Sequence, residues 1–401
     1  MKKVDTSPVF GQLAGKLPEE VFGGLPTPCY IIDEAKLVAN GECLQRVMEH
    51  TGCKILLAQK AFSNYDFYPL LSEYLAGTEA SGLFEARLGA EKMPGKEVHV
   101  FCGAYREEEF RELLDYADHI VFNSIGQLKK FGPRAKECGK SIGIRVNPQC
   151  STQEGHEIYD PCSSTSRLGV TREIWEKQMT EEALALLDGL HFHTLCEQNA
   201  DALAVTIAAV EEQFADVLPR MKWLNMGGGH LMTRQGYDVD HLIRLLNDFH
   251  AKYPNLELIM EPGSAFGWQT GFLMTSVVDV VENHGIQTAI MDASFTCHMP
   301  DCLEMPYKPR IRFATDPVEG KPTYRIGGNS CLSGDYMGDW SFDKPLQVGD
   351  RLIFEDMLHY TTVKTTMFNG IPHPALAMLT SDGQLQLLRE FVYEDYKNRM
   401  D

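Results

Sequence analysis

The sequence has little positive charge and no long apolar run. Its 37 lysines and arginines face 56 aspartates and glutamates, which gives a formal net charge of −19 at pH 7. Nucleic-acid-binding proteins usually carry a basic footprint, so we expect no nucleic-acid partner. No run of about 18 apolar residues occurs, so we expect no membrane span. The first 20 residues lack an apolar core of the signal-peptide type, so we expect a cytoplasmic protein.

The eleven cysteines are odd in number and have no repeated spacing. Both observations favour free thiols in a reducing compartment. The segment 292–302, DASFTCHMPDC, gathers two cysteines, a histidine and two aspartates. Its spacing matches no standard zinc pattern, so we predict no resident metal there.

Short apolar segments alternate with helical patterns between residues 54 and 262. The eight strand candidates are 54–60, 77–81, 98–103, 119–123, 142–147, 189–195, 222–228 and 257–262. The clearest helical pattern, 199–218, repeats apolar residues at spacings of three and four. Eight strands alternating with helices are typical of a (β/α)₈ TIM barrel. A doubly wound open sheet is the alternative, because periodicity cannot show closure.

Beyond about residue 270 the helical pattern gives way to short strand candidates. We therefore predict an α/β protein with two domains. The barrel is expected to span 27–284, and a mostly β C-terminal domain is expected to span 285–401, joined by residues 1–26.

Polar residues stand at the carboxyl ends of the predicted strands, where barrel enzymes place their chemistry. They are Lys60, Glu79, Ser81, Asn123, Ser124, Arg145, Asn147, His191, His193, Asn225 and Glu261. A desolvated lysine such as Lys60 is a nucleophile able to form a Schiff base. The alternative is a lysine that reaches solvent at a strand end. His191 and His193 are two residues apart, so on a strand they share a face.

Gly227, Gly228 and Gly229 follow the seventh predicted strand. Three glycines can turn backbone N–H groups toward one phosphate, or they can form an ordinary tight turn. Glu261 ends the eighth strand, and its buried carboxylate needs a partner. That partner is either a protonated pyridine nitrogen or a cation such as Arg145. Lysine, glycines, histidine and carboxylate together are the parts that a pyridoxal phosphate site requires.

Several long strings carry a family resemblance. They are LLAQKAFS (56–63), EASGLFEARLG (79–89), YDPCSSTSRLG (159–169), GLHFHTLCEQ (189–198), LNMGGGH (224–230), EPGSAFGWQTG (261–271), SFTCHMPDCLEMPY (294–307) and SCLSGD (330–335). On these strings the chain resembles the fold-type III pyridoxal phosphate enzymes, the group of alanine racemase, ornithine decarboxylase and diaminopimelate decarboxylase. Within that group it is most similar to the carboxynorspermidine/carboxyspermidine decarboxylases. The resemblance runs over nearly all of the chain.

This resemblance implies an activity, a cofactor and an assembly. The implied reaction is the pyridoxal phosphate-dependent decarboxylation of carboxynorspermidine or carboxyspermidine to norspermidine or spermidine, in polyamine biosynthesis. The implied partners are a small cationic carboxylated polyamine and a second subunit in a homodimer with shared active sites. The alternatives are diaminopimelate, ornithine or lysine decarboxylation, amino-acid racemisation, and a non-catalytic pyridoxal phosphate carrier.

The resemblance also implies roles for individual residues. Lys60 holds the cofactor covalently, His193 stacks on its ring and Glu261 pairs with its nitrogen. The phosphate contacts are Gly227, Gly228, Gly229 and Tyr360. Arg145 is a further cofactor contact. For catalysis and substrate binding, Cys331 is the proton donor from the second subunit, and the substrate contacts are Asp292, Asp335 and Glu261. Ser264 stands where many members of the group have arginine, which puts one phosphate contact in doubt.

Overall fold

The computed structural model describes residues 22–153, 160–163 and 165–401. The chain divides into two compact units. One spans residues 38–266, and the other joins the residues before 38 to residues 267–401. Most of the predicted N-terminal contribution to the second domain, residues 1–21, lies outside the described residues.

The described strands and helices follow one another along the chain. The strands are β1 (Cys29–Asp33), β2 (Lys54–Ala58), β3 (Gly77–Ala80), β4 (Glu97–Phe101), β5 (His119–Phe122), β6 (Ser141–Arg145), β7 (Gly189–His191), β8 (Trp223–Asn225), β9 (Glu257–Met260), β10 (Gly271–Asn283), β11 (Ile286–Met291), β12 (Thr323–Gly327), β13 (Tyr336–Ser341), β14 (Arg351–Glu355), β15 (Ala375–Leu379) and β16 (Leu385–Arg389). The α-helices are α1 (Glu34–Thr51), α2 (Tyr68–Leu71), α3 (Leu83–Lys92), α4 (Glu107–Leu113), α5 (Ile125–Glu137), α6 (Arg172–Gln178), α7 (Glu181–Leu184), α8 (Ala200–Phe214), α9 (Val239–Lys252), α10 (Ser264–Gly267), α11 (Phe295–His298), α12 (Pro300–Glu304) and α13 (Tyr393–Lys397). No helix in these described ranges has the length and apolar character that a membrane span needs.

The first unit is a closed barrel of eight parallel strands, β2 to β9. The closing pair aligns Lys54 with Ile259 and Ile55 with Met260. The predicted (β/α)₈ barrel is therefore confirmed, and the open-sheet alternative is wrong. Each predicted strand overlaps a barrel strand, and the structure ends each one a little earlier. After β2, for example, the N–H of Ala61 donates to the carbonyl of Ala58, so the chain turns before Lys60.

Trp223 of β8 fills the barrel interior one layer below the strand ends. Its side chain is buried, and its indole N–H donates to the Ser141 hydroxyl over 2.9 Å. Two neighbouring strands carry glycine beside the ring. A Cβ at Gly189 would lie 2.0 Å from the indole, and a Cβ at Gly143 would lie 2.2 Å from it. Only glycine leaves room for the ring, so these three residues form a close-packed floor.

A polar cluster occupies the amino-terminal end of the barrel. The Lys54 ammonium lies 2.6 Å from Glu97 and 2.9 Å from Glu257. The carboxylate of Glu97 also lies 3.0 Å from His99 Nε2, and the His99 ring stacks on His119 with centroids 4.0 Å apart. Burial and the neighbouring His99 lower the pKa of His119 well below 6.5. His119 is therefore neutral at pH 7.

We expect this cluster to make the fold sensitive to acid. In the unfolded chain His119 takes up a proton near pH 6.5, whereas its pKa in the folded chain is lower. The contribution of His119 therefore leaves the free energy of unfolding unchanged above pH 6.5 and lowers it as the pH falls below 6.5. Lys54, Glu97, His99 and Asp188 face the same ring. Between pH 7 and pH 5 the loss from His119 is expected to be about 2 kcal/mol. Urea unfolding at the two pH values measures it. His119→Gln should flatten the dependence, and an unchanged slope would contradict the assignment.

The second unit is built on an eight-stranded sheet. Its strand order is β13-β12-β11-β10-β1-β15-β16, and β14 pairs with β10. Two buried apolar clusters pack in this unit, one around Phe295, Trp340 and Phe354 and one around Phe272 and Ile353. The predicted second, mostly β domain is therefore confirmed as an architecture.

The observed sheet begins outside the predicted range 285–401. Strands β1 and β10, both inside the predicted barrel range 27–284, pair with each other in the sheet, with Cys29 opposite Met274. Strand β1 and the first half of β10 are apolar and mostly buried, like the barrel strands. Sequence patterns identify such strands but not their pairing partners, which is why the limits differ.

Candidate active site

The carboxyl ends of the barrel strands surround a cavity of about 930 Å³. The residues that line it are Lys60, Glu79, Ser81, Phe101, Gly103, Arg145, Asp160, Pro161, Ser163, Thr165, Ser166, Arg167, Leu168, His191, His193 and Glu261. Seven predicted strand-end residues from five strands thus line one cavity: Lys60, Glu79, Ser81, Arg145, His191, His193 and Glu261.

Lys60 forms an ion pair with a buried carboxylate. Its Nζ lies 3.0 Å from Glu79 Oε2, and the Glu79 side chain is only 1% exposed. Burial raises the pKa of Glu79, and the charge of Lys60 opposes that rise. Glu79 is therefore a carboxyl that can take up or return a proton near neutral pH beside the lysine amine.

Glu261 accepts one hydrogen bond, and a histidine ring lies near its second oxygen. Asn225 Nδ2 donates to Oε1 over 2.5 Å, and His191 Nε2 lies 3.4 Å from Oε2. Burial would raise the pKa of Glu261, but His191, Lys60 and Asn225 together lower it well below its usual range. Glu261 is consequently a buried anion on the cavity wall.

His193 and Arg145 are fixed by backbone groups. The N–H of Gly228 donates to His193 Nδ1 over 2.9 Å, which makes Nδ1 the acceptor and leaves the ring proton on Nε2. Arg145 Nη2 donates to the His193 carbonyl over 3.1 Å, and its guanidinium lies over the Phe101 ring at 4.7 Å. Burial lowers the pKa of Arg145 to about 10, so it stays cationic at neutral pH.

The glycine run after β8 makes close contacts with its neighbours. Gly227 has φ +67°, and a Cβ there would lie 2.5 Å from the Phe192 carbonyl. A Cβ at Gly228 would lie 2.4 Å from the Glu261 carbonyl and 3.2 Å from the His193 ring. These positions require glycine, and the backbone consequently runs directly beside His193 and Glu261.

The remaining predicted site residues lie in the sheet unit. Tyr360 is half-buried in a turn at residues 359–363. Cys331 is exposed in the loop between β12 and β13, and its N–H donates to Asn369 Oδ1 over 2.9 Å. The carboxylate of Asp292 accepts hydrogen bonds from the Thr275 hydroxyl and from the N–H of Ser276.

Asp335 is buried and bonded within its own loop. Its carboxylate accepts from the Ser330 hydroxyl over 2.6 Å and from the N–H groups of Ser330 and Thr296, each over 3.2 Å. These contacts fix the loop that carries Cys331. A role for Asp335 in substrate binding stays a prediction.

The cysteine- and histidine-rich segment 292–302 does not gather its side chains. Cys297 donates to the carbonyl of Phe368, and His298 Nδ1 accepts from the N–H of Ser294. Cys302 is buried in an apolar cluster, and Asp301 forms an ion pair with Lys364 over 2.8 Å. The four side chains thus serve separate structural contacts.

The cavity wall fits pyridoxal phosphate by its donor set. A lysine amine suits its aldehyde, and a histidine ring suits its aromatic ring. A buried anionic carboxylate suits the pyridinium nitrogen, and a glycine backbone suits the phosphate. The anion at Glu261 is the most specific of these features, since a buried carboxylate is costly without a cationic partner.

Two features of the wall were not recognised as functional from the sequence. Glu79 and Asn225 were identified at strand ends, but nothing in the sequence pairs them with Lys60 and Glu261. Phe101, which lies between Arg145 and His191, gave no signal beyond an aromatic residue at a strand end.

The chain is similar to known proteins over most of its length. A family model described as pyridoxal-dependent decarboxylase, C-terminal sheet domain, matches residues 29–357. A carboxyaminopropylagmatine decarboxylase of Synechocystis is 47% identical over 94% of this chain and 96% of its own. A carboxynorspermidine/carboxyspermidine decarboxylase of Campylobacter jejuni is 42% identical over 94% of this chain and 98% of its own.

A solved structure gives the same result. The crystal structure of carboxynorspermidine decarboxylase complexed with norspermidine from Campylobacter jejuni matches with a TM-score of 0.85 and 41% identity. The match covers 94% of this chain and 100% of that one. Taken with the barrel, the sheet domain and the cavity wall, these similarities place the chain in the family of pyridoxal-dependent decarboxylases.

Proposed function

We propose that the protein decarboxylates carboxynorspermidine or carboxyspermidine to norspermidine or spermidine, as a step of polyamine biosynthesis. The observation that carries the proposal is the full-length similarity to the Campylobacter jejuni enzyme, whose crystal structure contains norspermidine. The −19 net charge suits a cationic substrate.

When bound, pyridoxal phosphate supplies an electron sink for the electron pair that the departing carboxylate leaves on Cα. We assign Lys60 as the residue that holds the cofactor covalently. Glu79 lies 3.0 Å from the Lys60 amine and takes up its proton when the amine has to be neutral. Both residues are on the cavity wall, so the exchange stays within the site.

Other residues would bind and orient the cofactor. Glu261 would keep its ring nitrogen protonated, and the His193 side chain would contact its ring. The backbone of Gly227, Gly228 and Gly229 contributes to the phosphate site, with Tyr360 as a further phosphate contact. Arg145 fixes the carbonyl of His193 and thereby the ring that His193 presents.

Cys331 is the proposed donor of the proton that Cα receives after CO₂ leaves. Its exposed position on the β12–β13 loop supports delivery from a second subunit. Asp292 and Asp335 are proposed for the substrate amines. The contacts of Asp335 with Ser330 and Thr296 also support a role in ordering the loop of Cys331.

Replacing Cys331 with alanine is expected to lower kcat about 10²-fold, because a positioned general acid contributes on that order. Misplaced protonation should also convert the cofactor to its amine form. Absorbance measured during turnover detects this conversion. Cys138→Ala, at another exposed cysteine, is the matched control and should behave as the parent protein. An unchanged rate and product for Cys331→Ala would remove Cys331 as the acid.

We further propose a homodimer with shared sites, located in the cytoplasm. Exposed Leu332, Tyr336 and Phe368 accompany Cys331, which supports a covered surface there. All eleven cysteines lie in the described part of the chain and all are free, which supports a reducing compartment. Mixing inactive Lys60→Ala and Cys331→Ala subunits should restore about a quarter of the parent activity, because one site of each mixed dimer carries neither change. No recovery in subunits shown to exchange would exclude shared sites.

A second substrate is favoured by a separate observation. The Synechocystis relative, at 47% identity, is named for carboxyaminopropylagmatine. That name describes a substrate ending in a guanidine rather than an amine. The second candidate function is therefore decarboxylation of carboxyaminopropylagmatine.

A CO₂-release assay decides among these substrates. The panel contains carboxynorspermidine, carboxyspermidine, carboxyaminopropylagmatine, diaminopimelate, ornithine and lysine, each ranked by kcat/KM. We expect one of the first two to rank highest, with a difference between them of about 10–200-fold for one methylene. First rank for carboxyaminopropylagmatine would establish the second candidate. First rank for any of the three simple amino acids would reject both.

A further inference from the structure

His191 lies between the cofactor-binding candidates but has no role so far. It is on β7, two residues before His193, and it is 1% exposed. Its Nε2 lies 3.4 Å from Glu261 Oε2, a long distance for a hydrogen bond. Neither ring nitrogen has a hydrogen-bond partner among the described residues, so the contact with Glu261 is an approach and not a formed hydrogen bond. The Glu261 carboxylate is thus the polar group that this buried ring can serve.

Side chains on two neighbouring strands approach the Glu261 carboxylate. Asn225 on β8 donates to Oε1 over 2.5 Å, and His191 on β7 approaches Oε2. The hydrogen bond to this carboxylate comes from Asn225, and His191 is placed to add a second at Oε2. Without His191, the carboxylate would keep only the Asn225 bond and could turn about it.

The opposite side of the His191 ring is closed by Phe101. The two ring centroids are 5.3 Å apart with planes at 39°, and the same phenyl ring carries the Arg145 guanidinium at 4.7 Å. Contacts thus run from Arg145 through Phe101 and His191 to Glu261. These residues lie on or directly after strands β6, β4, β7 and β9. The His191 ring thus packs against Phe101 while its Nε2 approaches Glu261.

The charges around the ring favour a neutral imidazole. Burial lowers the pKa of His191, with Arg145 and Lys60 acting in the same direction and Glu261 opposing them. Glu79 and Asp160 are the other carboxyls of the wall, and Glu79 is paired with Lys60. A neutral ring with its proton on Nε2 is a hydrogen-bond donor to Glu261 without adding a charge.

We propose that His191 is a positioning residue, whose Nε2–H holds the Glu261 carboxylate in the orientation and ionisation state that the cofactor nitrogen requires. The proposal rests on the cofactor role assigned to Glu261 above. A distance of 3.4 Å is long for a hydrogen bond, as is common for such contacts in a site without its ligand.

Two amide replacements test the proposal. In His191→Gln the side-chain amide nitrogen reaches the place of Nε2, so a donor to Glu261 remains. In His191→Asn the amide reaches only the place of Nδ1, so polarity remains but the donor to Glu261 is lost. We expect His191→Gln to stay within about 5-fold of the parent kcat and His191→Asn to lose about 10–100-fold, with KM changed less than 3-fold in both.

The spectrum of the bound cofactor provides a readout that does not depend on turnover. In His191→Asn the absorbance change that reports protonation of the ring nitrogen should move to lower pH by about one unit, because the anionic partner is no longer held. The apoenzyme should rebind pyridoxal phosphate about 10-fold more weakly. His191→Gln should match the parent in both measurements.

The outcomes separate this proposal from its alternatives. Equal impairment of both variants, with lower thermal stability of the apoenzyme, would assign His191 to packing and overturn the proposal. Parent-like behaviour of His191→Asn in kcat and spectrum would also overturn it. If the parent protein released no CO₂ from any polyamine in the panel, the proposed substrate would be rejected, and the spectral and rebinding measurements would still decide the role of His191.

Discussion

Replacing Lys60 with alanine is expected to abolish CO₂ release, with kcat/KM reduced by at least about 10³-fold. The reason is the loss of the one amine that lies on the cavity wall beside Glu79. Covalent attachment of the cofactor would be lost as well, so the absorbance band of the enzyme-bound form should disappear. A CO₂-release assay and a spectrum of the purified variant measure the two effects.

Lys54 offers a matched control. It begins β2, whereas Lys60 lies in the turn that follows this strand, and it pairs with Glu97 and Glu257. Lys54→Ala should lose some stability, because two carboxylates lose their partner, but it should keep the cofactor band and most of the activity. Retained turnover in Lys60→Ala would overturn the assignment of Lys60. Loss of the band in both variants would mean that the barrel, rather than the amine, had been disturbed.

Replacing Glu261 with glutamine is expected to lower kcat about 10²–10³-fold. Glutamine keeps the size and one acceptor of the side chain but removes the negative charge that His191, Lys60 and Asn225 stabilise. The cofactor nitrogen would lose the partner that keeps it protonated, so the electron sink would be weaker. Single-turnover measurements of CO₂ release would locate the loss in the chemical step.

Glu257 is the corresponding control, because it begins β9, the strand that Glu261 directly follows. Glu257→Gln should leave the rate within about 3-fold of the parent value, since it changes only an ion pair with Lys54 that is far from the cavity wall. A rate for Glu261→Gln as high as that of Glu257→Gln would contradict the proposed role of Glu261.

The strand-end residues could be predicted because their chemistry is unusual for buried positions. Lys60, His193 and Glu261 each follow an apolar run, and a barrel brings the ends of such runs together. Their partners could not be predicted in the same way. The contact of Lys60 with Glu79 and that of Glu261 with Asn225 depend on which strands are neighbours and in what register. Periodicity carries neither kind of information.

The sheet unit illustrates the same limit. The apolar patterns of β1 and β10 resemble those of the barrel strands, and only their hydrogen bonds assign them to the sheet. The family resemblance singles out the loop of Cys331, and its role as proton donor stays a prediction. The burial of Asp335 beneath it depends on contacts with Ser330 and Thr296 that no spacing rule describes.

The packing of Trp223 against Gly143 and Gly189 has a consequence for substrate choice. Since the indole leaves no space for even a Cβ on the neighbouring strands, the site cannot deepen toward the amino ends of the barrel. A longer substrate therefore has to extend away from this floor. The residues that determine which substrate length the site accepts therefore belong at the open end of the cavity.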